Sequence, residues 1–556
     1  MKKNSFLEGT IIATLAIIIV KILGMLYVIP FYAIVGSNGG ALYSYAYNIY
    51  LIFLGISSAG LPNAISKIIS EYNALDNKSA KNMAYKQAKK IIFIFASISF
   101  ILLFVFAEEI ATFIIGDLSG GNTIADVAFV IRAVSPAILV IPFLSITKGY
   151  LQGHKYVKPS SISQLIEQIV RILVILLGSY LIINVFNGTV SLAIGVSVFG
   201  AFVGGLCAYI YLKCIINKNK NQLDLTSEVE DDPILKKEIT KKIIKYAVPF
   251  IIINIVTNLY NFTDQILVLR TLEYLKLDAK TIEFVASAIS TWAPKINMVI
   301  NAMAMGMTIS LIPTIVSAYT KKNMSEVTDK INRSLSLVFF ISLPLAVGIC
   351  ILREPVWQIF YNSNEYGYMI LGLSVFSALC ANMYMILSTI CQSLNKFKLV
   401  YLVSISGFLT NAVMDIPLML LFNKLGLPPF LGSIVSSILG FSISVIVGLV
   451  SLHRSEKINF KFLFTTIVKS LIPITIMVLI LMSIEIFLPI NNNFLKIIVY
   501  GIVGGITYIG ISYSMGILTE LFGKEYLNKI IKKLTFGKFK IKNQTMYIEL
   551  AKLKSV

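Results

Sequence analysis

A chain of 556 residues in which 56% are hydrophobic, 14% are charged and mean hydropathy is +0.81 cannot bury its apolar surface in water-soluble cores. The net charge of +20 is spread through short gaps between apolar runs, which suits membrane orientation and not a concentrated nucleic-acid face. Five cysteines (Cys207, Cys214, Cys350, Cys380, Cys391) without a C-x-x-C pair, and only His154 and His453, leave little basis for a disulfide frame, a zinc site or histidine catalysis.

The pattern predicts an all-α polytopic membrane protein. Fourteen apolar stretches, each near or above the ~20 residues that cross a bilayer, cover 9–35, 41–66, 91–115, 124–149, 161–185, 190–216, 244–271, 284–316, 334–352, 368–391, 399–422, 430–452, 463–488 and 494–519. The first follows Lys2 and Lys3 as a signal peptide would. It is too long for an h-region, carries Lys21 and lacks a small-x-small cleavage site, so it reads as a retained span. With a cytoplasmic N-terminus, 37 of the 48 lysines and arginines fall on inner segments and six on outer ones. Both termini are therefore expected in the cytoplasm.

Composition divides the chain into an N-terminal lobe (1–216), a cytoplasmic linker of mixed charge (217–243), a C-terminal lobe (244–453), two further helices (454–520) and a basic cytoplasmic tail (521–556). The linker carries Glu228, Glu230, Asp231 and Asp232 beside several lysines and reads as a solvated connection. A faint echo relates the lobes. Leu61-Pro62 with Ile69-Ser70-Glu71-Tyr72 resembles Ile312-Pro313 with Val316-Ser317-Ala318-Tyr319, and Gln152-Gly153 through Lys158 resembles Gln392-Ser393 through Lys398. Six spans separate the partners, which predicts parallel six-helix repeats about a pseudo-two-fold axis along the membrane normal; chance likeness of lysine- and serine-rich loops is the alternative.

Polar groups inside the spans narrow the function. In span 7, Asn254, Asn258, Asn261 and Gln265 share one helical stripe, with Thr257 and Asp264 on its shoulder. Such amides serve either as glue between helices or as a cavity wall. Lys21 lies roughly 18 Å into span 1, near the midplane, beyond the reach of snorkelling. Lys295 follows Pro294 in span 8. A charge at that depth costs ~2.5–3.5 kcal/mol on insertion scales, so each lysine needs an anion, cavity water, or a carboxylate such as Asp264 or Asp415. Glu167 and Arg171, at i,i+4, read as a structural ion pair. Arg270 ends span 7 and is a further candidate for the anion. Tyr43, Tyr47 and Tyr50 read first as an interfacial belt, with sugar stacking as the alternative.

No G-x-x-x-x-G-K-[ST], H-E-x-x-H or G-x-S-x-G motif and no tight carboxylate cluster appears, so neither an enzyme nor a metal site is expected and no cofactor is called for.

Specific residues nevertheless carry a resemblance. Lys21-Ile-Leu-Gly24 through Pro30, Ser58-Ala59-Gly60-Leu61-Pro62 with Ser70-Glu71-Tyr72, and Lys148-Gly149-Tyr150 through Gln152-Gly153, Pro159, Gln164, Glu167, Gln168 and Arg171 resemble polysaccharide biosynthesis proteins of the stage V sporulation protein B type. Ser310 to Pro313 in span 8 is similar too. That group lies in the multidrug/oligosaccharidyl-lipid/polysaccharide exporter superfamily, beside the lipid II flippases. The resemblance implies an alternating-access flippase that carries an undecaprenyl-diphosphate-linked saccharide, a precursor for peptidoglycan, spore cortex or another polysaccharide, from the inner to the outer leaflet of a bacterial cell membrane. It also implies a cationic cavity between helices 1, 2, 7 and 8, a lipid-tail groove at helices 13 and 14, and cell-wall synthesis machinery as a partner. Lys21 stands where the lipid II group usually has arginine, and Lys295 lies near that group's cationic position in helix 8. Val28 departs from the pattern, since relatives often carry arginine there, and span 2 has no cation before Lys67. An ion-coupled multidrug exporter of the same superfamily and a membrane-embedded glycosyltransferase are the alternatives. The first prefers an acidic cavity, and the second needs facing carboxylates.

Overall fold

The computed structural model describes residues 6–58, 60–116, 121–223, 225 and 233–523. The four linker acids and the tail from 524 onward lie outside the described residues. Every regular element within them is helical. The first half holds α1 (Phe6–Leu26), α2 (Val28–Ser58), α3 (Leu61–Ala74), α4 (Lys78–Val105), α5 (Ala107–Ile115), α6 (Ile124–Val134), α7 (Ala137–Gly153), α8 (Val157–Tyr180) and α9 (Val190–Lys218). The second half begins with α10 (Pro233–Tyr274) and α11 (Ala279–Ser287), then a π turn at Ala288–Trp292. It continues with α12 (Ala293–Thr320), α13 (Met324–Ile351), α14 (Arg353–Tyr361), α15 (Glu365–Ser393), α16 (Phe397–Lys424) and α17 (Phe430–Glu456). The chain closes with α18 (Lys461–Phe487), α19 (Asn493–Ser514) and α20 (Ile517–Phe522).

Among the described residues ten helices are long and apolar enough to cross a membrane, or eleven if the bent pair α1–α2 forms one span. The sequence pattern suggested fourteen. Spans 7 and 8 fall on α10 and α12, whose side chains are described only in part, and several predicted spans are broken. Gly36 (φ 67°) kinks α2 where a loop between spans 1 and 2 was expected, and Gly60 (φ 76°) separates α2 from α3. Glycine reaches this left-handed region without the Cβ clash that other residues meet.

Short polar residues start many helices. Asn77, Thr189, Asp278, Asn323, Asn364 and Asn492 each accept a backbone N–H from the first turn, and Thr123 forms a reciprocal capping box with Asp126. Close helix contacts need small residues. A methyl group at Gly149 of α7 would come within 2.4 Å of the Pro62 carbonyl oxygen in α3, and one at Gly153 within 2.8 Å of the Ser66 carbonyl. The Lys148–Gly153 motif therefore sets how near these two backbones lie.

Two apolar clusters are separate at the lysine-rich end. One joins residues of α3, α4, α7, α9 and α10 around Ile68 and Tyr150, and the other joins α12, α13, α15 and α18 around Ile331 and Ile390. At the opposite end a single cluster runs through Phe31, Tyr43, Trp292, Trp357 and Leu371, so both halves share it. The chain is sealed at one end and parted at the other. Phe93, Ile98, Leu173, Val413, Val468 and Ile506 belong to a broad exposed apolar girdle that suits lipid.

Candidate functional site

The π turn before α12 places consecutive polar side chains at the boundary between the halves. Such turns add a residue to a helix and often mark functional positions. Thr291 Oγ1 lies 2.6 Å and Ser290 Oγ 3.2 Å from Ser44 Oγ on α2. Asn48 donates to Gln265 Oε1 at 3.1 Å and to Thr291 Oγ1 at 3.2 Å, while Gln265 donates back to Ser44 at 2.8 Å. Beyond this buried belt Phe31, Tyr32, Tyr43, Trp292 and Tyr361 pack ring against ring, and Tyr361 donates its hydroxyl proton to the Trp292 carbonyl at 2.8 Å. Belt and rings close one end of a cavity.

That cavity has a volume of about 630 Å³ and is bounded by α1, α2, α10, α12, α15 and the π turn. It brings together Lys21, Lys295, Asn254, Asn258 and Asn261, five of the residues singled out in the sequence. Lys295 is 8% exposed; its ammonium donates to the Tyr27 hydroxyl at 3.4 Å and sits 4.9 Å from the centre of the Tyr47 ring. Neither Lys21 nor Lys295 has a carboxylate within 4.0 Å among the described residues. The expected counter-charges lie elsewhere, as described below, and the two lysines face the cavity. Asn258 donates to Asn254 Oδ1 at 3.0 Å and to the Leu51 carbonyl at 3.3 Å, so the span 7 stripe both lines the cavity and ties α10 to α2.

Asp264 occupies a smaller adjoining cavity of about 160 Å³ that shares Thr257, Asn261 and Asn301 with the larger one. Its carboxylate accepts from Asn411 at 3.0 Å and from Ser437 at 2.6 Å, and it meets no cation there. Asp415, fully buried on the same α16 face as Asn411, has the Ser433 hydroxyl nearby but neither carboxylate oxygen in a well-formed hydrogen bond among the described residues, and Asn411 Oδ1 is likewise unmet there. These inward acceptors form an acidic cluster of the kind that takes a proton or a monovalent cation. Asp264 and Asp415, each a possible partner for lysine by sequence, are related instead to each other through Asn411 of α16. The i,i+4 placement of Asn411 and Asp415 was the available signal.

Other candidates fall outside the cavity. Arg270 donates to the Phe113 carbonyl at 3.1 Å and lies 3.7 Å from Glu273, at the end of α10 against Gly116. Its helix position carries it beyond the sealing belt, away from Lys21 and Lys295. Glu167 and Arg171 pair at 2.8 Å, and Lys148 joins Glu167 at 3.0 Å. Tyr43 and Tyr50 are buried instead of forming an interfacial belt, and Tyr47 alone of the three lines the cavity. Asn48, Tyr27, Asn382 and Gln392 were missed; they are isolated polar groups on apolar helices, without the periodicity that marked α10.

Comparison with known proteins agrees with this architecture. The chain is 29% identical over 540 residues to the lipid II flippase MurJ of Bacillus subtilis, covering 94% of this chain and 97% of the relative. It is 20% identical over 458 residues to stage V sporulation protein B of the same organism, covering 81% and 82%. Among solved structures, a lipid II flippase MurJ in an inward closed conformation aligns with a TM-score of 0.64 at 16% identity, over 94% of this chain and 100% of that one. An inward-facing multidrug resistance MATE family transporter of the MOP superfamily aligns at 0.61 and 13%, over 80% and 98%. At these identities the structural likeness establishes the fold alone, that of a multi-pass membrane protein. A MatE family model matches residues 249–416, and a model described as polysaccharide biosynthesis protein matches residues 6–318, more than half of the chain. The chain belongs to the polysaccharide biosynthesis protein family.

Proposed function

We propose that the protein is a flippase that moves an undecaprenyl-diphosphate-linked saccharide, a cell-wall precursor, from the cytoplasmic to the outer leaflet of a bacterial cell membrane. The observation that carries this reading is a cavity between the halves holding Lys21 and Lys295, without carboxylate partners among the described residues, beside a row of amides. A diphosphate and sugars cannot cross hydrocarbon unaided, and two ammonium groups with surrounding amides replace their hydration. Lysine is a point charge and holds a phosphate less rigidly than a bidentate arginine fork, which favours release. The similarity to a lipid II flippase over nearly the whole chain supports the cargo class.

The reading takes the chain as fourteen crossings in two six-helix lobes plus α18 and α19, with cytoplasmic termini and the saccharide chain's lipid tail against α18 and α19. Alternating access needs two gates. The belt of Ser44, Asn48, Gln265 and Thr291 serves as the outer one. The inner one lies on the lysine-rich side, between the two separate apolar clusters. Lys242 of α10 pairs there with Glu71 of α3, Tyr246 donates to Glu71 at 3.4 Å, and Lys67 lies over the Tyr246 ring at 4.1 Å, contacts within one cluster that keep α10 and α3 together. A proton or monovalent cation at Asp264 and Asp415 supplies the bias that drives the cycle. Cell-wall synthesis enzymes are the partners this reading implies.

A second reading, an ion-coupled drug exporter, has the acidic cluster and the MatE match in its favour. Two unpaired lysines in the main cavity repel the cationic compounds such an exporter would carry. Reconstitution in vesicles with a fluorescent undecaprenyl-diphosphate saccharide tests the choice. Protein-dependent transfer between leaflets, competed by unlabelled lipid-linked saccharide and not by organic cations, is the expected result; transport of organic cations without lipid transfer would replace the proposal with the second reading.

A further inference from the structure

A second basic cavity, of about 310 Å³, lies outside the central one, between α4, α7 and α9 at the lysine-rich end of the first half. Lys86 and Lys89 of α4 and Lys213 of α9 converge on it, with Tyr85, Thr147 and Tyr209 forming its walls. Many lysines on this side of the molecule are paired: Lys148 with Glu167, Lys242 with Glu71, Lys330 with Glu326, Lys396 with Glu456. Lys86, Lys89 and Lys213 have no carboxylate within 4.0 Å among the described residues.

The walls hold Lys89 in place, and Lys86 and Lys213 reach the cavity from its exposed rim. The Lys89 ammonium lies 3.9 Å above the Tyr85 ring, which stacks on Tyr150 at 4.1 Å and has its hydroxyl 3.3 Å from Thr147 Oγ1. Another cavity, of about 660 Å³, is lined by Lys90 of α4 with Lys237 and Lys241 of α10, so positive charge surrounds α4 on more than one side. Three like charges around one space repel one another, and a multivalent oxyanion relieves that repulsion while accepting their protons.

The position of the cavity indicates where that anion comes from. One turn further along α4, Phe93 and Ile94 are exposed, followed by Ile98 and Ile101, so lysine gives way to a lipid-facing apolar strip at i,i+4 spacing. A headgroup seated among the lysines has its acyl chains directly on that strip. Basic pockets between membrane helices on the cytoplasmic side suit anionic headgroups.

We propose that this cavity is a phosphate-binding site at the membrane boundary, separate from the transport cavity, and that it holds the headgroup of an anionic phospholipid. The test uses the full chain in neutral detergent, titrated with phosphatidylglycerol, phosphatidylcholine or inorganic phosphate while thermal unfolding is followed. Phosphatidylglycerol should raise the melting temperature more than phosphatidylcholine does. The triple variant Lys86→Gln, Lys89→Gln, Lys213→Gln should lose most of that difference, and the distant pair Lys276→Gln, Lys424→Gln should keep it. The lipid-free melting temperature of each variant reports folding. Should the triple variant not fold, a photoactivatable phosphatidylglycerol on the wild-type protein should label α4 and α9. If inorganic phosphate alone reproduces the rise with the same lysine dependence, the phosphate site stands and the lipid source falls. Equal shifts from the two lipids, a triple variant that responds as wild type does, or labelling confined to other helices overturns the site.

Discussion

Replacing Lys295 by methionine removes one charge from the cavity and keeps most of the side-chain volume. The ammonium touches the Tyr27 hydroxyl and the faces of Tyr27 and Tyr47, with no carboxylate to leave behind. Tyr27 also lies 3.3 Å from the Tyr43 hydroxyl, so its oxygen keeps a neighbour. The lost ring contacts are offset by the removal of a desolvated charge, and the fold should change by no more than about 1 kcal/mol. Binding is a different matter. A hydrogen bond to a charged group contributes ~1.5–3 kcal/mol, which predicts about 10- to 150-fold weaker affinity for a diphosphate-linked saccharide. Lys295→Arg keeps the charge and should recover part of that loss. The measurement is equilibrium binding of a fluorescent undecaprenyl-diphosphate saccharide to purified protein, with thermal unfolding on the same samples. Wild-type affinity in Lys295→Met, or a loss of affinity matched by collapse of the fold, would refute a cavity lysine that holds the cargo.

The remaining expectations separate structural from transporting groups. Glu167→Gln leaves Arg171 and Lys148 facing each other without a counter-charge; breaking a buried pair costs ~3–5 kcal/mol, and because these side chains retain 12–21% exposure the lower end is expected, read as a fall in melting temperature. Gly149→Ala drives a methyl into the Pro62 carbonyl and should cost ~1–3 kcal/mol, whereas unchanged unfolding would mean that α3 and α7 are not packed so closely. Glu71→Gln removes the charge that holds Lys242 and should cost ~1 kcal/mol, read as a small fall in melting temperature; unchanged unfolding would mean that the pair does not hold α10 to α3. Asp415→Asn should abolish any stabilisation of the purified protein by sodium ion or by acidification, and an identical response in the variant would remove Asp415 from the coupling site.

Much of this site was legible because charge and amide groups are conspicuous inside apolar runs. Lys21, Lys295 and the Asn254–Asn258–Asn261 stripe announce themselves against hydrocarbon, and all five line one cavity. Arg270 carried the same kind of signal and went elsewhere, since chain position alone does not tell that the end of α10 packs against Gly116. The belt around Ser44 was invisible for another reason. A lone serine on an aromatic-rich helix has no period, and it gains meaning only when the π turn at Ala288–Trp292 brings Ser290 and Thr291 to meet it. Likewise the tyrosines of α2 suggested an interface because their spacing reveals a face and not what covers it. Trp292, far along the chain, packs on Tyr43 and supplies its cover.

Charge of opposite sign lies on adjoining walls, and this arrangement gives the two sites a physical means of influencing each other. Asn261 of α10 lines both cavities, one turn from Asp264, and Asn301 of α12 lies opposite in both. On the proposed function, an empty acidic cluster would add negative potential on the side of Asn261 away from the lysines and weaken their hold on a diphosphate. A proton or cation bound at Asp264 and Asp415 would cancel that potential and strengthen the hold. Linkage is reciprocal, so a seated diphosphate must favour the bound cation to the same extent. The sign matters for a flippase. Cargo and cation would enter one conformation together, and loss of either would weaken retention of the other, so release on the far side does not require the lysines themselves to lose their charge. An acidic cluster within reach of a cationic cavity is therefore more useful as a lever on affinity than as a counter-ion. In the described structure Asp264 is bound by Asn411 and Ser437 and leaves Lys21 and Lys295 to the cavity, as such a lever requires.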